Sequence, residues 1–291
     1  MARIAPLAST DPTSAATFGL KGAWYVGPVP RHGRYFTPFG GDVMIVSELG
    51  LVPMSKLIAG QYTQDQQIGP ASKIQSVFAP LVRQLLNAKY FDVFVVPSSE
   101  VLVIKLPADA GTYRQFAMNV TTGAWCEFLG IPMRSAAVIG SQLYFGTTDG
   151  LTCKGLFGDR DGVDSVGAGG NYVEGEVQTS FQHFGTPAQL KKFGMVRPVF
   201  LSTAAPAIKL IVNVQYQFNG VGGSPYFFGS DNGIWDEGVW NYAVWVGQNT
   251  YQGWFGSAGL GYYGSLRMKV RGLPATVFTS AHMMTELGGV M

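Results

Sequence analysis

Alternation of apolar and polar residues between glycine-containing turns is the feature that most constrains the fold of this chain. The clearest example is FGGDVMIVSELGLVPMS at 39–55, and IGSQLYFGTTDGLTCKG at 139–155 matches it one hundred residues later without a gap. The coincident positions are Gly40/Gly140, Gly50/Gly150, Phe39/Ile139, Val43/Leu143, Ile45/Phe145 and Leu51/Leu151. Period-two alternation bounded by glycine turns predicts β-hairpins. A hairpin present twice indicates a recurring antiparallel unit, as in the blades of a β-propeller.

One stretch, 72–89, has helical periodicity instead. Its apolar residues fall at i, i+3, i+4, i+7, i+8, i+11 and i+12: Ile74, Val77, Phe78, Leu81, Val82, Leu85 and Leu86. Ser72 is the expected N-cap, and Pro80 predicts either a kink or a new helix start. A Leu/Phe stripe of this kind usually faces a core, and a docking role is the alternative.

The predicted fold class is all-β and predominantly antiparallel. Residues 1–19, rich in Ala, Ser, Thr and Pro, are expected to form a flexible arm. A propeller-like β domain containing the helix is expected over 20–157, and a linker or loop over 158–171. The last region, 172–291, again alternates and predicts a β-sandwich-like domain, within which 233–256 form a Trp-rich loop.

The composition is poor in charge and rich in glycine. Charged residues make up 13% of the chain, against about 25% in an ordinary soluble domain, and there are 39 glycines. Little solvated surface suits a subunit covered by neighbours, while an ordinary β protein with many turns stays an alternative. A net charge of +2 gives no basic field for nucleic acid, and no run of 18 apolar residues predicts a membrane span.

Catalytic and metal-binding signatures are not found. His32, His183 and His282 are far apart in sequence, and no GxSxG, HExxH or P-loop motif occurs. GLGYYG at 259–264 matches GxGxxG, but the residues after it alternate like a strand rather than a helix. We therefore expect no catalytic, cofactor or metal residues and no enzymatic activity, although a fold could still bring two carboxylates together.

The most unusual segment is GIWDEGVWNYAVWVGQNTYQGWFG at 233–256. It concentrates six Trp and Tyr residues: Trp235, Trp240, Tyr242, Trp245, Tyr251 and Trp254. A stacking platform for sugars or bases is one interpretation. Since no Lys or Arg lies between Gly233 and Gly264, base stacking is disfavoured. Packing or a subunit interface is the favoured interpretation, and these six residues are the candidate site.

At these residues the chain resembles the tail nozzle and stabilization-type proteins of short-tailed bacteriophages. The resemblance spans about 35–280 and includes MNVTTGAW and LYFGTTDG. Most of it rests on two runs: Trp235, Asp236, Trp240 and Trp245, and Phe184–Pro187 with Lys191-Lys192 and Arg197-Pro198. The chain is short for this family and is similar to the later part of such proteins.

The resemblance implies a β-propeller-containing structural protein of the virion tail, assembled in the host cytoplasm. It would form a homo-oligomeric ring, a hexamer in this family, that docks below the portal and adaptor rings and conducts genomic DNA in transit during ejection. Tail fibres or spikes are further expected partners. The alternatives are a tail-associated protein that recognises host glycans and, less favoured, a polysaccharide-degrading tail enzyme.

Overall fold

A computed structural model describes residues 2–4, 22–60, 70–107, 113–158, 160–163, 169–203, 205–227, 249–272 and 276–288. The chain divides into two compact units, Met1–Phe157 and Gly158–Met291. Strands dominate both units and pair almost entirely antiparallel, which confirms the expected all-β class. The described exception is a two-residue parallel pair between Gly33–Arg34 and Phe91–Asp92.

The first unit consists mainly of short strands. In chain order they are β1 Ala2–Ile4, β2 Gly22–Trp24, β3 Gly33–Arg34, β4 Phe36–Phe39, β5 Asp42–Ser47, β6 Gly50–Pro53, β7 Phe91–Val96, β8 Val101–Lys105, β9 Arg114–Asn119, β10 Trp125–Leu129, β11 Met133–Ile139, β12 Gln142–Thr147 and β13 Thr152–Gly155. Helices α1 (Met54–Ile58) and α2 (Gln75–Leu85) separate β6 from β7. Residues 2–4 differ from the expected flexible arm 1–19, because β1 pairs with β2; the rest of the arm lies outside the described residues.

Three successive up-and-down sheets make up most of this unit. They are β4-β5-β6, then β7-β8-β9-β10 with β3 at its edge, then β11-β12-β13. Within each sheet, and apart from β3, every strand pairs with the strand that follows it along the chain, because the connections between them are short. The described strands do not close into a propeller.

The middle sheet is covered on both faces. Val93 and Phe94 are neighbours in β7, so their side chains point to opposite faces. Val93 belongs to a cluster with residues of the first sheet and of α2: Val46, Leu51, Phe78 and Val82. Phe94 packs instead against residues of the third sheet: Met133 and Leu143. Both neighbouring sheets are therefore needed to bury the middle one.

The repeated hairpin of the sequence is also a structural repeat. The last pair before each turn has the same register: Phe39↔Asp42 in β4·β5 and Ile139↔Gln142 in β11·β12. The four turn residues all have positive φ: 58° at Gly40, 80° at Gly41, 55° at Gly140 and 68° at Ser141. Positive φ at both central residues is the type I′ geometry that fits the twist of a hairpin.

The second turns of the two repeats differ by one residue. Ser47 pairs directly with Gly50, which leaves a two-residue turn. In the third sheet the Thr147 amide donates to the Leu151 carbonyl at 2.9 Å, which leaves a three-residue loop. Because of the extra residue, the two aligned leucines have different environments. Leu51 is fully buried, whereas Leu151 is 63% exposed.

The predicted helix is present in the expected part of the chain, but it begins and ends at other residues than predicted. A 3-10 turn at Pro70–Ile74 leads into α2, which ends at Leu85 instead of 89. Ser72 lies inside the 3-10 turn and is not the N-cap; Ile74 has that position without a side-chain cap bond. Pro80 lies within one continuous helix. Since α2 buries Phe78 in the first core cluster, its apolar stripe faces the core.

The second unit contains longer strands in two sheets. They are β14 Arg160–Val163, β15 Gly169–Gln178, β16 Lys191–Ser202, β17 Ala207–Val214, β18 Tyr226–Phe227, β19 Asn249–Gln252, β20 Phe255–Gly261, β21 Gly264–Gly272 and β22 Val277–Leu287. One sheet has the order β14-β15-β21-β17-β18. In the other, β16 pairs with β19 and β20 along one edge and with β22 along the other.

These two sheets pack face to face, as the sandwich prediction requires. Phe193, Val196 and Phe200 of β16 meet a shared cluster from the other sheet: Ile208, Leu210, Val212, Leu266 and Met268. The bulge at Gly194 brings Phe193 onto the same face as Val196 and Phe200. In the other sheet, alternation along each strand places the partner residues on one face.

The region 158–171 differs from the expected linker. β14 pairs antiparallel with β15, with Arg160 opposite Tyr172. The guanidinium groups of Arg160 and Arg271 lie 5.5 and 5.1 Å from the centre of the Tyr172 ring. These cation–π contacts hold a glycine-rich strand whose composition resembles that of a loop.

Lys105 is a buried cation between the middle and third sheets, with 1% of its surface exposed. Its Nζ donates hydrogen bonds to the carbonyl oxygens of Tyr90 and, at 3.1 Å, of Arg134. Burial lowers the pKa of this ammonium group to about 8, although the charge of Asp92 acts in the opposite direction. Asp92 is itself paired with Arg34 at 2.7 Å, and burial raises the pKa of its carboxyl group.

The free energy of unfolding of the first unit should therefore rise between about pH 8 and pH 10.5. In this window the unfolded chain keeps the Lys105 proton while the folded chain loses it, so stability increases by at most about 1.4 kcal/mol per pH unit. Urea unfolding of the wild type and of Lys105→Met over this range measures the effect, because the difference removes the titration of other groups. A difference that does not change with pH would contradict the burial of this ammonium group.

Candidate functional site

The sheet around β16 has one buried and one exposed face. Phe193, Val196 and Phe200 fill the sandwich core, so Met195 and Arg197, the neighbours of Val196 in β16, point away from it. We call this second side the outer face. It carries side chains from three strands, β16, β20 and β22, and from the turn before β20: Lys192, Met195, Arg197, Trp254, Leu260, Val277, His282, Met284 and Glu286.

A cluster of three side chains lies near the centre of the outer face. Arg197 and His282 are cross-strand partners in β16 and β22. The guanidinium carbon of Arg197 lies 5.1 Å from the centre of the Trp254 ring, and its Nη2 lies 2.7 Å from Nδ1 of His282. Because arginine can only donate, Nδ1 is the acceptor and the imidazole proton is on Nε2. The contact with Arg197 holds Trp254, which is 45% exposed, at the outer face.

The rest of the outer face is mainly apolar. Exposed large side chains lie on both sides of the cluster: Met195, Leu260, Val277 and Met284. Its described ion pair, Lys192 with Glu286 at 3.4 Å, lies toward one end. An apolar surface of this kind, with a cation already held by an aromatic ring, is suited to contact with another protein.

The structure describes two of the six Trp and Tyr residues of the Trp-rich segment and places them apart. Trp254 lies on the outer face, whereas Tyr251 is 5% exposed and belongs to the sandwich core. The other four fall outside the described residues: Trp235, Trp240, Tyr242 and Trp245. Sequence reasoning missed Arg197 and His282 as site residues because they lie 85 positions apart and meet only through strand pairing.

A second exposed group, the aromatic cluster, was not predicted. It consists of Phe181, Tyr216, Phe218 and Tyr263, from three separate loops of the second unit. The ring centres of Phe181 lie 4.6 Å from Tyr216 and 5.5 Å from Phe218, and Tyr216 lies 5.4 Å from Tyr263. Tyr216 and the preceding Gln215 both have left-handed backbones, with φ of 58° and 54°. Such strain persists where surrounding contacts hold it, and it is common at ligand-binding loops.

The FGTP…KK run has a structural role in positioning β16. Lys191 is fully buried, and its Nζ donates to the carbonyl oxygens of Thr186 and, at 2.9 Å, of Gln189. The Phe184 ring packs 5.7 Å from that of Phe193. The loop before β16 is thereby closed onto the strand that carries Arg197.

Two carboxylates of β15 are held in ion pairs with the neighbouring strand β21. Glu174 and Glu176 of β15 are both held by Lys269, and the hydrogen bond that Lys269 donates to Glu174 raises the pKa of its ammonium group. Arg267 pairs with Glu176 as well. In the part of the chain that the structure describes, no three His, Cys, Asp or Glu side chains gather where a metal could bind. None of the helices described is long and apolar enough to cross a bilayer.

Comparison with known proteins adds no relative. No protein-family model matches the chain, and no curated protein is significantly similar to it.

Lys191 and Lys192 are adjacent lysines with opposite surroundings, and this allows a matched test. Lys191→Met leaves two loop carbonyls without a donor, so we expect a loss of about 1–3 kcal/mol in the unfolding free energy. Lys192→Met removes only an exposed ion pair and should cost about 0–1 kcal/mol. Urea unfolding followed by circular dichroism measures both. Equal losses for the two variants would contradict the structural role of Lys191.

Proposed function

We propose that this protein is a non-enzymatic structural subunit of a ring, of the kind that forms the nozzle or tail tube of short-tailed bacteriophages. The observation that supports this best is the outer face, where exposed apolar side chains of three strands surround the Arg197–Trp254–His282 cluster. Soluble monomers rarely leave such surfaces uncovered. Covering one contributes about 25 cal/mol for each Å² of apolar area removed from water.

In this proposal identical copies pack head to tail into a closed hexameric ring. The ring belongs to the virion tail, is assembled in the host cytoplasm, and docks below the portal and adaptor rings, with tail fibres or spikes as further neighbours. Genomic DNA passes through it during ejection. A net charge of +2 suits a passage that must not hold phosphate groups.

Unit 1 supports the proposal through its connectivity. Its three successive antiparallel sheets are connected as propeller blades are, and blades of this type bury their faces on one another. A complete propeller belongs to the proposal and requires strands beyond those described.

The residues behind the resemblance also support it. Lys191-Lys192 and Arg197-Pro198 lie in β16, and the loop at Phe184–Pro187 is closed onto the same strand. The motif therefore builds the central strand of the outer face and supplies its arginine.

A charge in the middle of the outer face should prevent assembly. Met195→Asp changes a side chain that is 36% exposed, so the subunit should fold while its association weakens at least about tenfold, because burying an unpaired carboxylate costs more than 1.4 kcal/mol. Sedimentation velocity and negative-stain images of the purified protein measure assembly. Val177→Asp, at a position 40% exposed on β15, is the control and should still form rings.

Two results would count against this proposal. A wild-type protein that sediments only as a compact single chain, and that is missing from the virion, removes the structural role. Met195→Asp rings as abundant as those of the wild type remove the outer face as the contact.

Recognition of host glycans is a second candidate function, and the aromatic cluster favours it. Phe218 is 69% exposed, and Tyr216 beside it carries a hydroxyl group. Rings with open faces and polar tips suit stacking on sugars. The nearby Arg267 is neutralised by Glu176, so the site does not favour phosphate.

A glycan array separates this candidate from assembly. If the aromatic cluster binds sugar, the wild type gives signals that Tyr216→Ala and Phe218→Ala lower by about tenfold or more, which corresponds to about 1.4 kcal/mol. Trp254→Ala, on the outer face, is the control and keeps the signal. Signals unchanged in the two cluster variants would exclude this site.

A further inference from the structure

Basic side chains gather around the start of β7 in the first unit. They come from three parts of the chain: β3 with the residues just before it, the segment that leads into β7, and β11. Together with one tyrosine they form what we call the basic surface: Arg31, Arg34, Lys89, Tyr90 and Arg134. All five residues are exposed.

Backbone pairing brings these segments together. β3 pairs in parallel with β7, and the amide of Arg31 donates to the carbonyl oxygen of Leu86 at 2.8 Å. Arg31 is therefore held beside the segment that contains Lys89. From β11, Nη2 of Arg134 donates to the Tyr90 hydroxyl at 2.8 Å, and the guanidinium carbon lies 4.6 Å from the centre of the Tyr90 ring. The fold thus concentrates cations that are distant in the chain.

A buried lysine holds the tyrosine and the arginine of the basic surface in place. Nζ of Lys105 donates to the carbonyl oxygens of Tyr90 and, at 3.1 Å, of Arg134. Tyr90 has a left-handed backbone, with φ of 70°, and such strain persists where surrounding contacts hold it. The hydrogen bond from Arg134 lowers the pKa of the Tyr90 hydroxyl, and the charge of Lys89 acts in the same direction. The two side chains are therefore fixed at a place of positive potential.

Positive charge predominates at the basic surface. Five of the chain's 20 basic residues lie here when the buried lysine is included. The described carboxylate that pairs with one of them is Asp92, at 2.7 Å from Arg34. Within the described ranges, no Asp or Glu forms an ion pair with Arg31, Lys89 or Arg134. The net charge of +2 is a value for the whole chain, so it does not reveal this concentration.

We propose that the basic surface binds the phosphate backbone of DNA without sequence preference. Guanidinium groups match phosphate oxygens in shape and charge, and contacts to phosphate carry no sequence information. Each of the three cations that lack a carboxylate partner contacts one phosphate, whereas Arg34 is already neutralised. The inference rests on the proposed function for the choice of DNA as the polyanion.

A contact with three phosphates is weak enough for DNA to move past it. The logarithm of the binding constant then falls with the logarithm of the salt concentration with a slope of about −2.7. This slope lowers the affinity about fortyfold between about 50 and 200 mM salt. Such a contact aligns a duplex with the subunit and releases it easily, which agrees with a passage that does not hold phosphate groups.

Removal of two cations from the basic surface tests the inference. Arg31→Gln/Lys89→Gln should weaken the binding of a short fluorescein-labelled duplex at low salt at least about tenfold, and should reduce the salt slope by about 1.8. Fluorescence anisotropy over a range of salt concentrations measures both values. Lys73→Gln/Lys154→Gln removes the same charge from two exposed lysines elsewhere in the first unit, and this control should bind like the wild type. Circular dichroism and thermal melts establish that each variant is folded.

Sedimentation of the same samples measures assembly, so the ring and the DNA contact fail separately. Rings that do not bind the duplex, or that bind it equally well after Arg31→Gln/Lys89→Gln, would overturn the inference and leave the ring intact. Binding that is lost in this variant and kept in the control supports the inference, even if the wild type never forms rings. Polyglutamate of the same charge, bound as tightly as the duplex, would assign the basic surface to an acidic protein and overturn the inference too.

Discussion

The need to cover both faces of every β-sheet controls this structure. The middle sheet of the first unit meets it within one chain, because Val93 packs toward the first sheet and Phe94 toward the third. Within the described part of the first unit, the third sheet packs against a neighbouring sheet on one side, and Ile139 on its other side is 64% exposed. In the described part of the second unit, the β16 sheet likewise packs against a sheet on one face. In a stack of sheets, the outer face of the last sheet has no neighbouring sheet. That face must be polar, or it must be covered by another element or by a further copy.

Two buried lysines show how the sheets are held where hydrophobic packing ends. Lys105 binds backbone carbonyls between the middle and third sheets, and Lys191 binds those of the loop before β16. A buried ammonium group is costly unless its donors are satisfied, and carbonyls without a donor are costly as well. Each lysine therefore fixes one loop to one strand, which apolar contacts alone do not specify.

Local pattern accounts for most of what could be predicted from the sequence. Alternation and glycine located the repeated hairpins and the sandwich, and the 3.6-residue period located α2. Local pattern failed where distant residues decide the outcome. Leu151 matches Leu51 in sequence but a one-residue longer loop exposes it. β14 is a strand because Tyr172 of the neighbouring strand holds Arg160, which its glycine-rich composition does not indicate. The aromatic cluster joins three loops, so no single stretch contains its signal.

Charge is unevenly divided between the two sheets of the sandwich. The exposed side of the β15–β21 pair carries a ladder of ion pairs that solvates it: Arg267 with Glu176, and Lys269 with Glu174 and Glu176. The outer face of the β16 sheet carries one ion pair, Lys192 with Glu286, and Arg197, which lies against Trp254 and His282. One exposed side of the sandwich is therefore rich in ion pairs, and the other is mainly apolar. In any assembly the ion-pair side then faces solvent and the β16 side faces neighbours, because the reverse arrangement would bury charges and expose apolar area.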